Sequence, residues 1–480
     1  FIRAEGGVIK RAGTQRLYEF SHTYDSSLNQ QIRIEPFIFS DDEKYIIAFS
    51  TGKINIFRIT TAGVVSHIQE ITADVDSGSL PLTDTNVPQF TYAQRGDFMF
   101  IAHTDFLCRM LVRTGLTTFE VRVFEFDEST DSNNVFQPYY DFQGQGVSIT
   151  PSASTGSVTL TTSADYFDTT SNSDQVGVRL LIGETEAVIT AITNATTATA
   201  TIKGTLQTRL DQDAIRTVDG SDIITITHAL HGLSAGASIN ISEAGTVGGI
   251  SASNINGDQT IVEILDENTY TVDTSHTANA TEDGGGAPLI KSTAATFDWY
   301  EQSYSAYRGF PQAITFHEDR LWFAGTPSQP DAIWGSRTGQ YFNFDLGKAE
   351  DSDSIDLDAS IGVTNQIRHL VSNRDLQVFA SQQEFFIPSF QEKAVTPANA
   401  KISAQTPFGS GFVRPQSLDG ATLFVHATGT AIREFLFADA EGAYVGDVVS
   451  LASSHLVDDP VQMATVKGSL SRPGAYAFFL

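Results

Sequence analysis

A repeated strand–turn–strand unit constrains the fold of this 480-residue chain more than any other feature. Each unit is an apolar strand, a short polar turn and a second apolar strand, the pattern of an antiparallel hairpin. The units lie at 45–57, 97–112, 320–334, 376–387, 421–437 and, cut short, 475–479. Four of the five gaps between their starts are roughly 45–55 residues, the period of a four-stranded propeller blade. The spacing predicts an all-β fold, a β-propeller of about six blades with an incomplete last blade; β-sandwiches or another all-β packing are the alternative.

The long gap between the second and third units predicts an insertion of roughly 170 residues into the propeller. Between 144 and 288 the chain is rich in Thr, Ser, Ala, Gly and Asp and poor in aromatic residues, which are frequent on either side. Alternating strands inside this stretch indicate two small β domains. We divide the chain into a first propeller part at 1–143, inserted β domains at 144–214 and 215–288, and a second propeller part at 289–480.

The chain is strongly acidic, with 57 Asp and Glu against 29 Lys and Arg and a formal net charge of -28. Such a surface repels nucleic acid and anionic membranes. No apolar run is long enough to predict membrane insertion. Cys108 is the only cysteine, which excludes an intrachain disulfide framework and a Cys-based zinc site. The chain opens at Phe1 and stops in an apolar run at Leu480, and we expect both ends to belong to a longer polypeptide.

The densest acidic run lies at 350–358 and includes Asp351, Asp353, Asp356 and Asp358. Oxygen ligands at such short spacing suit Ca²⁺, but the run lacks the Gly and the terminal Glu of an EF-hand loop. Alternate residues of a strand share one face, so Asp356 and Asp358 are expected to line an acidic face. We interpret the four aspartates as candidate channel or subunit contacts and expect no metal and no cofactor.

No arrangement in the sequence demands an enzyme. His317, Glu318, Asp319 and Arg320 are adjacent in a strand context and cannot all face one substrate, because successive side chains alternate between faces. Glycoside hydrolysis needs two carboxylates held across a cleft, and a count of 57 acidic residues does not single out a pair. Phosphate-loop and dinucleotide-binding motifs are missing from the sequence.

Two stretches of the sequence resemble a known family. The first is Glu5-Gly-Gly-Val-Ile-Lys-Arg-Ala-Gly-Thr14. The second runs from 307 to 344 and contains Arg320-Leu-Trp-Phe-Ala-Gly-Thr326, Trp334-Gly-Ser336 and Tyr341-Phe-Asn-Phe344. Together they are similar to the tail nozzle of podoviruses, also called tail tubular protein B or stabilization protein. The resemblance covers roughly 1–140 and 295–480, the segments interpreted above as propeller.

The resemblance implies a structural protein of the virion tail, assembled in the host cytoplasm. Six subunits would form a ring below the head-to-tail adaptor, with tail fibre or tail tip proteins as further partners. Genomic DNA would pass through the central channel during ejection, and an acidic channel wall would let phosphates slide past. Lys10 and Arg11, in a glycine-flanked turn, are candidate subunit or DNA contacts or a solvated turn. The alternative is a secreted or host-surface propeller that binds or hydrolyses glycans.

A separate local likeness lies in the second inserted domain. It rests on His231-Gly-Leu233, Ile239-Asn-Ile-Ser242, Asn256-Gly257 and Glu267-Asn-Thr-Tyr-Thr-Val272. These segments resemble a small β module that recurs in phage structural proteins. The likeness implies decoration or contact with neighbouring proteins, not chemistry.

Overall fold

The chain folds almost wholly into antiparallel β-strands. The computed structural model describes residues 18–19, 32–130, 133–144, 146–170, 172–347, 349–359, 365–389, 394–466 and 476–480. Within these ranges the strands form five four-stranded sheets, one two-stranded sheet and two larger sheets. No helix in the described ranges is long and apolar enough to cross a membrane.

Blades 1 and 2 precede the insertion, and each is a meander whose strands pair in chain order. The strands of blade 1 are β1 (Arg33–Ile38), β2 (Lys44–Ser50), β3 (Lys53–Ile59) and β4 (Val65–Ile71). Those of blade 2 are β5 (Thr91–Arg95), β6 (Phe98–His103), β7 (Phe106–Arg113) and β8 (Phe119–Val123). One apolar core joins the two blades, and in it Phe119 meets Phe37 and Tyr45 edge to face at 5.4 and 5.0 Å between ring centroids. The aromatic hairpins therefore bury their rings between blades.

The inserted strands follow blade 2 and form two sheets. The first sheet contains β9 (Tyr139–Tyr140), β10 (Ile149–Pro151), β11 (Gly156–Thr162), β12 (Arg179–Ile182), β13 (Thr185–Asn194), β14 (Thr197–Ile202) and the later β23 (Trp299–Gln302), with helix α1 (Asn172–Gln175). The second contains β15 (Thr208–Arg209), β16 (Ile215–Arg216), β17 (Ile223–Thr227), β18 (Ser238–Ser242), β19 (Gly257–Asp266), β20 (Thr269–Asp273), β21 (Asp283–Gly284) and β22 (Leu289–Lys291), with helix α2 (Ala252–Ile255). Each sheet encloses its own apolar core.

The insertion closes further along the chain than the predicted division at residue 288. Strand β22 pairs with β15 and β18 of the second inserted sheet. Strand β23 (Trp299–Gln302) pairs with β12 and β9, so it belongs to the first inserted sheet. The outgoing segment at β9 and the returning segment at β23 thus lie side by side. The sheets themselves extend the inserted region to Gln302.

Blades 3 to 6 follow the insertion. Blade 3 has β24 (Ala313–His317), β25 (Arg320–Ala324), β26 (Ala332–Gly335) and β27 (Ile355–Asp358); blade 4 has β28 (Ile367–Ser372), β29 (Leu376–Ala380), β30 (Glu384–Ile387) and β31 (Ser403–Thr406). Blade 5 has β32 (Gln416–Leu418), β33 (Ala421–Val425), β34 (Ile432–Ala438) and β35 (Ala443–Val445), followed by a 3-10 helix (Leu451–Leu456) and blade 6 with β36 (Met463–Val466) and β37 (Tyr476–Phe479). The predicted all-β propeller of about six blades with two inserted β domains is confirmed.

The first strands of the blades bring distant parts of the chain together. Strand β24 packs beside both β5 and β28, and β32 packs beside β36. Arg414, just before β32, donates a hydrogen bond to the Tyr92 carbonyl at 3.3 Å and covers the Tyr92 ring at 3.8 Å. Gln462 of blade 6 donates to the Ile34 carbonyl of blade 1 at 2.6 Å, which links the last blade to the first.

Candidate functional site

The acidic run forms the loop and outer strand at the edge of blade 3. A buried arginine, Arg320 at the start of β25, anchors the loop: it donates to the carbonyl oxygens of Ser336 at 2.7 Å, Asp353 at 2.5 Å and Asp351 at 2.8 Å. Its side chain is 1% exposed. Because three carbonyls converge on one guanidinium, the path of the acidic loop is fixed from inside the blade.

Asp351 and Asp353 have different environments. The side chain of Asp351 is exposed to solvent. Asp353 is buried, pairs with Arg337 and accepts a hydrogen bond from the Glu350 N–H at 2.9 Å. Its carboxylate is therefore engaged within its own blade, while that of Asp351 faces outward.

Asp356 and Asp358 occupy alternate positions of β27 and share one face, as the spacing predicts. Both side chains are exposed. Asp358 lies near Asp331, and burial together with the charge of Asp358 raises the pKa of Asp331. Asp356 is the cross-strand neighbour of Trp334 on β26. This pairing places the Asp356 carboxyl beside an indole ring.

Asp356 faces a cavity of about 740 Å³ between the first inserted sheet and blade 3. The blade side contributes Trp334, Phe344, Ser354 and Asp356, and the inserted side contributes residues from β9 and from the β12–β13 turn, together with Tyr300 of β23. A segment around 133–138, which leads from blade 2 to β9, forms a third wall. The cavity thus exists because the insertion folds back against the blade that follows it.

The carboxyl groups of this cavity are not equivalent. Glu186 is buried and accepts hydrogen bonds from the Tyr139 hydroxyl at 2.6 Å and the Val135 N–H at 2.5 Å, and it pairs with Arg179. Burial raises the pKa of Glu184 above its ordinary range. The exposure of Asp356 is toward the cavity, where surrounding protein desolvates the carboxylate and raises its pKa to about 7, although the Trp334 indole lowers it. Asp356 therefore exchanges a proton near neutral pH.

Three buried histidines make structural contacts. His317 ends β24 and bonds to the hydroxyls of Ser372 at 2.9 Å and Ser389 at 2.5 Å. The His231 ring N–H donates to the Asp266 carbonyl at 3.0 Å, and burial lowers the pKa of His228 to about 4. Across the described part of the chain, no group of three or more His, Cys, Asp or Glu side chains is placed to hold a metal ion.

The 307–344 stretch supplies packing positions. Leu321, Trp322 and Phe323 are buried, and Phe344 is 5.6 Å from Phe323 between ring centroids in the core between blades 2 and 3. Gly335 approaches Trp322 so closely that a Cβ there would lie 3.0 Å from the ring. Their burial makes these aromatic residues part of the blade core.

Lys10 and Arg11 lie outside the described residues.

The cavity beside Asp356 was not apparent from the sequence, because its walls come from residues more than two hundred positions apart, such as Tyr139 and Asp356. The sequence predicts Asp356 as part of an acidic face and Trp334 as the end of an apolar hairpin. A gap between two sheets leaves no periodic signal in either one.

The fold defines the chain as a β-propeller protein that carries two inserted β sheets. No family model and no curated protein matches it. Similar solved structures include the phage phi92 endosialidase, with 12% identity and a TM-score of 0.18 over 75% of this chain and 66% of that one. Apo AztD from Citrobacter koseri has 9% identity and a TM-score of 0.27 over 86% and 84%, and Hsv2 from Kluyveromyces lactis has 9% and 0.23 over 88% and 98%. These TM-scores and identities are too low to carry an argument about function.

Proposed function

We propose that this chain is a structural subunit of the ring-shaped nozzle of a short bacteriophage tail, and that it is not an enzyme. The observation that carries the proposal is the resemblance of the 307–344 stretch to the nozzle family. Here that stretch builds β24 to β26 and the aromatic contact between blades 2 and 3. Residues used for rigid packing suit a subunit whose role is mechanical.

The charge of the chain suits a conduit for DNA. A net charge of -28 gives a protein surface that does not retain phosphates, so that a genome can move along it. In this proposal the ring is a hexamer below the head-to-tail adaptor in the virion tail, and DNA passes through it only during ejection. The inserted sheets would project toward tail fibre or tail tip proteins.

An exposed apolar segment at 449–461 supports self-association. Val449, Leu451, Leu456 and Val461 are 54%, 77%, 72% and 52% exposed, on and beside the 3-10 helix that follows blade 5. Four large exposed apolar side chains in so short a segment are more than the scattered single residues of an ordinary surface. A closed ring needs two different complementary surfaces on each subunit, and this segment is our candidate for one of them.

The proposal is tested by the mass of the full-length protein, measured by light scattering alone and with the adaptor. A complex with about six copies of this chain for each adaptor ring is expected, as in a closed cyclic assembly. A chain that stays monomeric and does not associate with the adaptor would contradict the proposal.

A further inference from the structure

The cavity between the first inserted sheet and blade 3 is lined by polar but uncharged groups, aromatic rings and carboxyls. Its volume of about 740 Å³ falls in the range of sites that hold small organic ligands. No Lys, Arg or His is found among the described residues that line it. The lining includes Asn134, Gln137, Tyr139, Gln207, Tyr300 and Ser354. A cavity without a cationic side chain does not favour phosphate or another anion.

One buried donor on the cavity wall lacks a well-aligned acceptor. The chain has three tryptophans, all deeply buried. The indole N–H of Trp299 donates to the Val147 carbonyl at 2.9 Å, and that of Trp322 donates to the His317 carbonyl at 3.1 Å. The N–H of Trp334, which is 1% exposed and lines the cavity, makes no hydrogen bond of normal geometry with any described residue. It lies close enough to the Asp356 carboxyl to lower the pKa of that group, and a ligand in the cavity can offer it a better-aligned acceptor.

The Asp356 carboxyl and the Tyr304 ring lie next to this indole. Asp356 is the cross-strand neighbour of Trp334 and faces the same cavity. The Tyr304 ring meets Trp334 edge to face at 4.9 Å, and its buried hydroxyl also has no partner among the described residues. Desolvation raises the pKa of Asp356 to about 7, so its carboxyl accepts or donates a hydrogen bond near neutral pH. Adjacent donor and acceptor groups match a ligand hydroxyl, which both accepts and donates.

We propose that this cavity binds a neutral saccharide, with sugar hydroxyls paired to Trp334 and Asp356. The aromatic residues of the wall, among them Tyr139 and Tyr300, provide apolar surface for the C–H faces of the sugar ring, and the Asn and Gln side chains bind further hydroxyls. A simple cation is a poorer match, since it cannot accept the Trp334 N–H. This proposal goes beyond the nozzle proposal and does not depend on it.

The test is to titrate the full-length protein with three neutral trisaccharides: maltotriose, cellotriose and chitotriose. Binding is measured by calorimetry and by tryptophan fluorescence. We expect at least one to bind with a Kd of about 1 mM or tighter. Binding should change the emission of Trp334 and should not weaken when salt is raised, because the ligand is uncharged. Spermidine serves as the charged comparator. Absence of binding by all three sugars, or salt-sensitive binding of spermidine alone, would overturn the proposal.

Two variants locate the site. W334F keeps an aromatic ring and removes the N–H, and the lost hydrogen bond should weaken sugar binding about tenfold. D356A should also weaken sugar binding. Because this variant keeps the Trp334 indole, it tests the site even if W334F does not fold. D351N alters an exposed carboxylate outside the cavity and should bind like the wild type. Sugar binding that is unchanged in both W334F and D356A would show that the cavity is not the site.

Discussion

Arg320 donates a hydrogen bond to the backbone carbonyl of Asp353 at 2.5 Å, across the width of blade 3. The same guanidinium donates to the carbonyl oxygens of Ser336 and Asp351. All three of these Arg320 hydrogen bonds therefore go to backbone oxygens and not to carboxylates. An acidic loop is thus fixed by its carbonyl oxygens, which leaves the exposed Asp351 carboxylate available to solvent or to another molecule.

R320A should destabilise the protein by about 3 kcal/mol or more, because it leaves several buried carbonyl oxygens without a donor. Urea unfolding measures the change. R320K keeps one cationic donor but not the planar fork, and should fall between the wild type and R320A. A loss below about 1 kcal/mol for R320A would mean that water replaces the arginine at little cost.

G335A should destabilise the protein by about 1–3 kcal/mol through overpacking against the fully buried Trp322 ring. Gly245 serves as the control, since a Cβ there meets only atoms at 3.7 Å or beyond, and G245A should be nearly neutral. Thermal unfolding of both variants makes the comparison. Equal melting temperatures would argue against the close contact between β25 and β26.

Glu384 makes stability depend on pH. Its side chain is buried, and burial raises its pKa to about 7, against the lowering effect of the hydrogen bond from Thr406 at 2.5 Å. The folded state therefore holds a proton that the unfolded state releases, so this residue's contribution to stability falls as pH rises from about 4.5 through about 7. E384Q cannot lose that proton. We expect E384Q to be more stable than the wild type at about pH 8 and similar at about pH 5.

Urea midpoints at the two pH values check the Glu384 prediction. E441Q changes an exposed glutamate in the turn after β34 and should leave the pH profile of the wild type unaltered. A difference between E384Q and the wild type that is the same at both pH values would show that Glu384 does not titrate between them.

The double variant L451D/L456D should reduce assembly without unfolding the subunit, because both side chains are mostly exposed in the single chain. Charged residues in the centre of an interface oppose its formation. L116D, at the exposed turn between β7 and β8, is the control and should assemble normally. Sedimentation of each variant with the adaptor measures the effect. Normal assembly of the double variant would place the subunit contacts elsewhere.

The blades could be predicted from the sequence, because an apolar hairpin is a local pattern. The hairpin at 320–334 appears as β25 and β26, and that at 376–387 as β29 and β30. The end of the insertion was predicted less accurately. Strand β23 is four residues long and pairs with β12 and β9, which lie more than a hundred residues earlier. Such pairing depends on non-local contacts that periodicity does not register.

The candidate cavity was beyond the reach of the sequence for the same reason. Trp334 ends the apolar hairpin predicted at 320–334, and its ring is buried. Whether its N–H finds an acceptor depends on β27, which places Asp356 opposite, and on the inserted sheet that closes the cavity. Three segments distant in the chain must meet before the cavity and its poorly aligned donor exist.

The most direct test of the central claim is the rotational symmetry of the full-length protein imaged by electron microscopy with its head-to-tail adaptor. The nozzle proposal predicts a closed six-fold ring with a central channel, formed or strengthened by the adaptor. Single propeller particles, unchanged when the adaptor is added, would contradict it.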